Sequence, residues 1–104
     1  VASTELIPHL SEAVYGVTQG PRLETAAEIR RMARDGCDVV GMTAMPEAAL
    51  ARELGLAYVS ICMVVNPAAG LSDEPITLDM MRDTLRREAA VVSQLLGAFL
   101  ASRA

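Results

Sequence analysis

Histidine occurs once in these 104 residues, at position 9, and cysteine twice, at positions 37 and 62. One histidine and two well-separated cysteines cannot assemble a metal site, so none is expected. The cysteines lack CxxC spacing and fall in predicted buried strands, so they read as core thiols of a reducing compartment, not as a disulfide or redox pair. Positive charge is also scarce. Nine Lys and Arg face thirteen Asp and Glu, and the net charge of −4 argues against a nucleic-acid partner, which demands a basic face. No apolar run approaches the ~18–20 residues of a spanning helix. The longest, residues 56–65, is of strand length and contains Ser60, so a membrane partner is not expected either. The start, Val1-Ala2-Ser3-Thr4-Glu5, has neither the basic segment nor the cleavable apolar core of a secretory signal. The expected location is cytoplasmic. His9, beside Pro8, is assigned no role.

What the chain does have is apolar surface. Hydrophobic residues make up 52% of it, which is rich for a chain of one domain at most. A chain this short has a thin core margin, so some apolar faces are expected to meet something outside these residues. The sequence also begins without Met, and the two features together are compatible with either a fragment or a processed product.

Strand-forming residues at 13–19 end in Gly20-Pro21, a turn signal. Thr25 and Glu28 then have the spacing of a capping box, with Ile29, Met32 and Ala33 as the apolar stripe of a helix and Gly36 as its C-cap. Residues 37–42 read as a short buried strand. Pro46 suits the first position of a second helix, which runs to Leu54 and stops at Gly55. Residues 56–65 read as a third strand, and Asn66-Pro67-Ala68-Ala69-Gly70 opens a loop reaching about Pro75. Leu78, Met81, Leu85, Ala89, Val92, Leu96 and Phe99 recur every three or four residues in a final long helix. Alternating strands and helices predict an α/β layered sheet covered by helices on both faces.

In such sheets ligands sit beyond the carboxyl ends of the strands. Gln19 and Glu24 follow the first predicted strand, Thr43 the second and Asn66 the third, and that convergence is the main signal of a site. Each residue taken singly has a plainer reading. Glu24 is then a first-turn carboxylate favoured by a helix dipole, Thr43 a helix-capping hydroxyl, and Asn66-Pro67 a turn initiator. Leu78 and Met81 are then core residues of an amphipathic stripe. Arg22 belongs either to the surface or to the turn it follows.

Three blocks, Gly20-Pro21-Arg22-Leu23-Glu24-Thr25, Val40-Gly41-Met42-Thr43-Ala44-Met45-Pro46-Glu47 and Val64-Val65-Asn66, resemble successive blocks of the trimeric nucleoside phosphorylase family. That family includes purine nucleoside and methylthioadenosine phosphorylases. The Asn-Pro-Ala-Ala-Gly run is most similar to its bacterial methylthioinosine phosphorylases. The resemblance covers residues 13–101 in order. It implies a phosphorylase/hydrolase-like layered α/β sheet, of which residues 1–104 form the C-terminal portion of a single nucleoside phosphorylase domain. It also implies phosphorolysis of a purine nucleoside in a homotrimer, with inorganic phosphate as co-substrate and no further cofactor.

Such a reaction needs an anionic nucleophile near the sugar, an oriented sugar, and donors placed for the charge that grows on the leaving base. By position in the family motifs, Asn66 meets the purine N7/O6 edge and carries the catalytic role. Glu24 accepts from the protonated N1 of a 6-oxopurine. Leu23 flanks the base, Met42 lies under the sugar, and Thr43 contacts phosphate. Leu78 stands where ordinary nucleoside phosphorylases place a histidine for the sugar 5′-hydroxyl, with Met81 one turn later. Two apolar side chains there suit a 5′-methylthio group. The implied substrate is S-methyl-5′-thioinosine, with a 6-oxopurine nucleoside or methylthioadenosine as the alternatives.

The glycine-rich phosphate loop, the Arg-His phosphate block and the first base-contacting loop of the family have no counterpart among these residues. The chain alone is therefore expected to be inactive. The competing reading is a non-catalytic α/β nucleotide-binding or assembly module, since fold does not fix function.

Overall fold

A computed structural model of the chain describes residues 10–75 and 77–103. His9 lies outside the described residues. Two compact units divide the chain. The first holds Ala13–Cys62 and Ala68–Asp73, and the second holds residues 10–12, Met63–Pro67 and the described residues from 74 onward.

The first unit is a βαβ arrangement. Strand β1 (Tyr15–Val17) pairs in parallel with β2 (Val39–Gly41), in the register Tyr15 with Val39, Gly16 with Val40 and Val17 with Gly41. Parallel strands need a crossover, and helix α1 (Ala26–Arg34) supplies it. The predicted capping box is in place. The Thr25 hydroxyl accepts from the Glu28 amide, and the Glu28 carboxylate accepts from the Thr25 amide. Two amides that would otherwise lack partners are thereby satisfied.

The end of α1 is fixed by backbone geometry. Gly36 adopts φ 96°, its amide donates to Ala33 O, and the Cys37 amide donates to Met32 O. This is a Schellman motif, which needs a residue at ease in the left-handed region. Helix α2 (Glu47–Glu53) ends the same way, with Gly55 donating to Arg52 O and Leu56 to Ala51 O. Pro46 stands one position earlier than expected, as the N-cap of α2 and not its first helical residue.

Ile29 and Met32 of α1 are buried, together with Ala44 and Ala51. A Cβ on Gly16 would lie 2.5 Å from Met32 Cε and 2.8 Å from Cys37 Sγ, so α1 packs against β1 where the strand has no side chain. Close approach of helix to strand is a reason for glycine inside a strand.

The third predicted strand is not formed. No strand is assigned over residues 56–65, and Leu56, Tyr58, Val59, Ile61 and Val64 are exposed. A strand exists only as a member of a ladder, and the sheet among the described residues is β1 and β2 alone. Strand-forming composition without a partner leaves the segment irregular. Both cysteines are free thiols, but their expected burial is corrected accordingly: Cys37 is half-buried beside β1, and Cys62 is exposed. The first two strands are also shorter than the predicted 13–19 and 37–42, because the ladder between them covers three residue pairs.

The second unit is dominated by α3 (Leu78–Ser102), a 25-residue helix. Thr77 caps it by accepting from the Met80 amide, and Asp79 places a carboxylate in the first turn. None of its residues is buried. Among the described residues no helix is long and apolar enough to cross a membrane.

Candidate active site

Parallel pairing puts the carboxyl ends of β1 and β2 at one edge, and polar side chains gather there. The Thr18 amide donates to Gly41 O at 2.8 Å, extending the ladder one residue beyond β1. At the opposite edge Asp38 closes the ladder, its carboxylate accepting from the Val14 amide at 2.8 Å.

An open cavity of about 500 Å³ lies at the carboxyl edge, lined by Tyr15, Val17, Thr18, Gln19, Met42 and Met45. A smaller one of about 110 Å³ is lined by Thr18, Gln19, Gly20, Arg22, Glu24 and Glu28. Thr18 and Gln19 belong to both, so the two hollows share a wall. Gly20 has φ 65°, and a Cβ there would lie 2.6 Å from Met42 Sδ. The turn after β1 can thus close down onto Met42 only with glycine at this position.

Glu24 is half-buried, and the Thr18 hydroxyl donates to its Oε2 at 3.0 Å. Thr25 is the N-cap of α1, so Glu24 precedes the helix and is not a first-turn carboxylate. Thr43 is also corrected as a helix cap. Helix α2 begins at Glu47 with Pro46 as its N-cap. The Thr43 amide instead donates to the Tyr15 hydroxyl at 3.3 Å, and the two hydroxyls are 3.3 Å apart. Tyr15 therefore holds Thr43 by backbone and side chain together. Leu23 is exposed, and Met42 is half-buried in the cavity wall.

Arg22 steadies the turn. Its Nη1 and Nη2 donate to the two oxygens of Glu28 at 2.8 and 3.2 Å, and Nη1 also donates to Leu23 O at 3.1 Å. A two-pronged guanidinium–carboxylate pair is directional as well as charged. The Arg22 guanidinium pulls the Glu28 carboxyl down to about 2, helped by the Thr25 amide and hydroxyl. The same contact raises Arg22 above its ordinary value.

The first unit thus brings Glu24, Met42 and Thr43 to one strand edge. The remaining expected residues lie in the second unit. Asn66 is half-buried, and its Nδ2 donates to Pro67 O at 2.7 Å, the local bond of a turn former. Leu78 is exposed at the start of α3, and Met81 is half-buried three residues later.

Sequence reasoning missed Tyr15 and Thr18. Tyr15 is paired with a residue 28 positions away, and only the strand register relates them. Thr18 is six positions from Glu24, and the Gly20-Pro21 turn that brings them together was the available signal.

A parallel βαβ unit with hollows and polar side chains at its carboxyl edge is the arrangement in which α/β proteins bind small molecules. The particular family follows from comparison with known proteins. The family model described as the Phosphorylase superfamily matches residues 2–101, and the chain belongs to that α/β family. It is 56% identical over 89 residues to a probable S-methyl-5′-thioinosine phosphorylase of Pseudomonas syringae pv. tomato, covering 82% of this chain and 36% of that protein. A protein of the same name from Xanthomonas campestris pv. campestris is 55% identical over 84 residues, 80% of this chain and 34% of its own length. One from Thermodesulfovibrio yellowstonii is 44% identical over 87 residues, 84% of this chain and 33% of its own length. The chain thus spans about a third of the length of these relatives.

Proposed function

We propose that the chain is the C-terminal portion of a nucleoside phosphorylase domain that cleaves S-methyl-5′-thioinosine with phosphate, giving hypoxanthine and 5-methylthioribose 1-phosphate. The observation that carries this reading is the Glu24 carboxylate held by Thr18 at the hollow beyond β1, in a chain 56% identical over 89 residues to a protein bearing that name. In the reaction a phosphate oxygen bonds to C1′ of the sugar as the bond from C1′ to N9 breaks. The electron pair passes to the purine, which is protonated from solvent.

Each residue has its task in this reading. Glu24 accepts from N1–H of the oxopurine, an interaction a 6-aminopurine cannot return. Asn66 turns its amide from Pro67 O to the N7/O6 edge, where it donates to the growing charge. Met42 lies under the sugar, Leu23 flanks the base, and Thr43 offers its hydroxyl to phosphate. Leu78 and Met81 receive the methylthio group. Phosphate is the only co-reactant, and the working protein is a cytoplasmic homotrimer with a layered α/β sheet. An oxo-for-amino mismatch leaves buried polar groups unpaired at ~1–3 kcal/mol each, enough for strong discrimination.

The test is turnover by the whole protein of methylthioinosine, inosine and methylthioadenosine with phosphate. Methylthioinosine should give the highest kcat/KM. Leu78→His should shift preference toward inosine. Preference for methylthioadenosine in the unaltered protein would overturn the reading.

A further inference from the structure

The geometry points to Thr18 as a positioning residue that sets the preference for a 6-oxopurine by holding one oxygen of Glu24. The inference rests on the role proposed above for Glu24 and adds the group that makes that role selective.

Glu24 sits on the turn after β1, and a carboxylate on a turn samples several rotamers unless something fixes it. Arg22 does not fix it, because the guanidinium is engaged by both nitrogens with Glu28. The Thr18 hydroxyl is 3.0 Å from Oε2 of Glu24. Its other acceptor, Gly41 O, lies at 3.4 Å, near the outer limit for a hydroxyl bond. Thr18 itself is not mobile in the same way, since its amide is bound to Gly41 O at the end of the ladder. The hydroxyl is thus carried by the sheet and grips a side chain carried by a turn. One carboxylate oxygen is taken, and Oε1 remains to accept from a ring N–H in the hollow that Thr18 and Glu24 both line. A site is most selective when the recognising group is held by a rigid element.

The experiment uses the whole protein with Thr18→Val, Thr18→Ser, Glu24→Gln and the Thr18→Val/Glu24→Gln pair. The readouts are KM and kcat for methylthioinosine and Ki for methylthioadenosine as a competitor. Valine keeps the shape of threonine and removes the hydroxyl. A contact made equally in ground and transition states appears in KM. Thr18→Val should therefore raise KM for methylthioinosine about ten-fold, as expected for a lost bond to a charged group, with kcat within about two-fold. Ki for methylthioadenosine should stay unchanged. Thr18→Ser should restore KM, and Thr18→Val should add nothing in the Glu24→Gln background. A general folding defect would instead lower kcat and weaken both nucleosides alike, which would overturn the inference. If Glu24→Gln raises KM and Thr18→Val does not, Glu24 recognises the base unaided and only the role of Thr18 is lost. If Glu24→Gln leaves KM unchanged, the proposed role of Glu24 and this inference fall together.

Discussion

At Gly16 the strand meets Met32 of α1 and Cys37 with no side chain of its own, and a single added methyl group tests that packing. In Gly16→Ala the new Cβ would lie 2.5 Å from Met32 Cε, 2.8 Å from Cys37 Sγ and 3.3 Å from Cys37 Cβ. The first two atoms end side chains and can swing. Met32, however, is buried, and moving Cys37 disturbs the residue whose amide closes the end of α1. Overpacking of this kind costs about 1–3 kcal/mol. The measurement is the urea midpoint of the whole protein, with Gly16→Ala, Met32→Ala and the double variant compared in a cycle. Truncating Met32 removes the closest obstacle, so alanine at position 16 should cost less in that background, with coupling above about 0.5 kcal/mol. An unchanged midpoint for Gly16→Ala, or a cost that is the same with and without Met32, would refute the contact.

Further substitutions probe the strand edge. Tyr15→Phe removes the hydroxyl that holds Thr43 and should raise KM for phosphate several-fold while KM for the nucleoside stays the same; equal effects on both would separate Thr43 from phosphate. Asn66→Asp should raise activity on methylthioadenosine relative to methylthioinosine, measured as the ratio of kcat/KM. Glu28 is depressed from an ordinary value of 4.5 to about 2, so its stabilising contribution is complete above about 4.5 and is lost as pH falls toward 2. The difference in unfolding midpoint between the protein and Glu28→Gln should accordingly be constant near neutrality and shrink across that acid range.

Local features were legible in the sequence, and pairings were not. The capping box of Thr25 and Glu28, the glycines that end α1 and α2, and the long helix α3 all depend on residues within a few positions of one another. The extents of the strands depend on their partners. Residues 56–65 are as rich in strand formers as residues 13–19, yet only the latter segment forms a strand. Glu24 and Thr43 were singled out, but their holders, Thr18 and Tyr15, follow from the turn and the register. The fork of Arg22 on Glu28 joins residues six positions apart across a turn and a helix cap, a pairing that no local spacing signals. Glu28 reads from the sequence as a capping residue, and nothing in its spacing announces a second task.

The exposed segment at 56–65 also bears on how the polypeptide behaves in isolation. Its ten residues carry no charge and no proline, and they are rich in side chains that favour extended backbone. Stretches of that kind associate with their own copies when left uncovered. Produced alone and concentrated, these 104 residues should precipitate or form β-rich assemblies, and a single lysine in place of Val59 should keep them in solution.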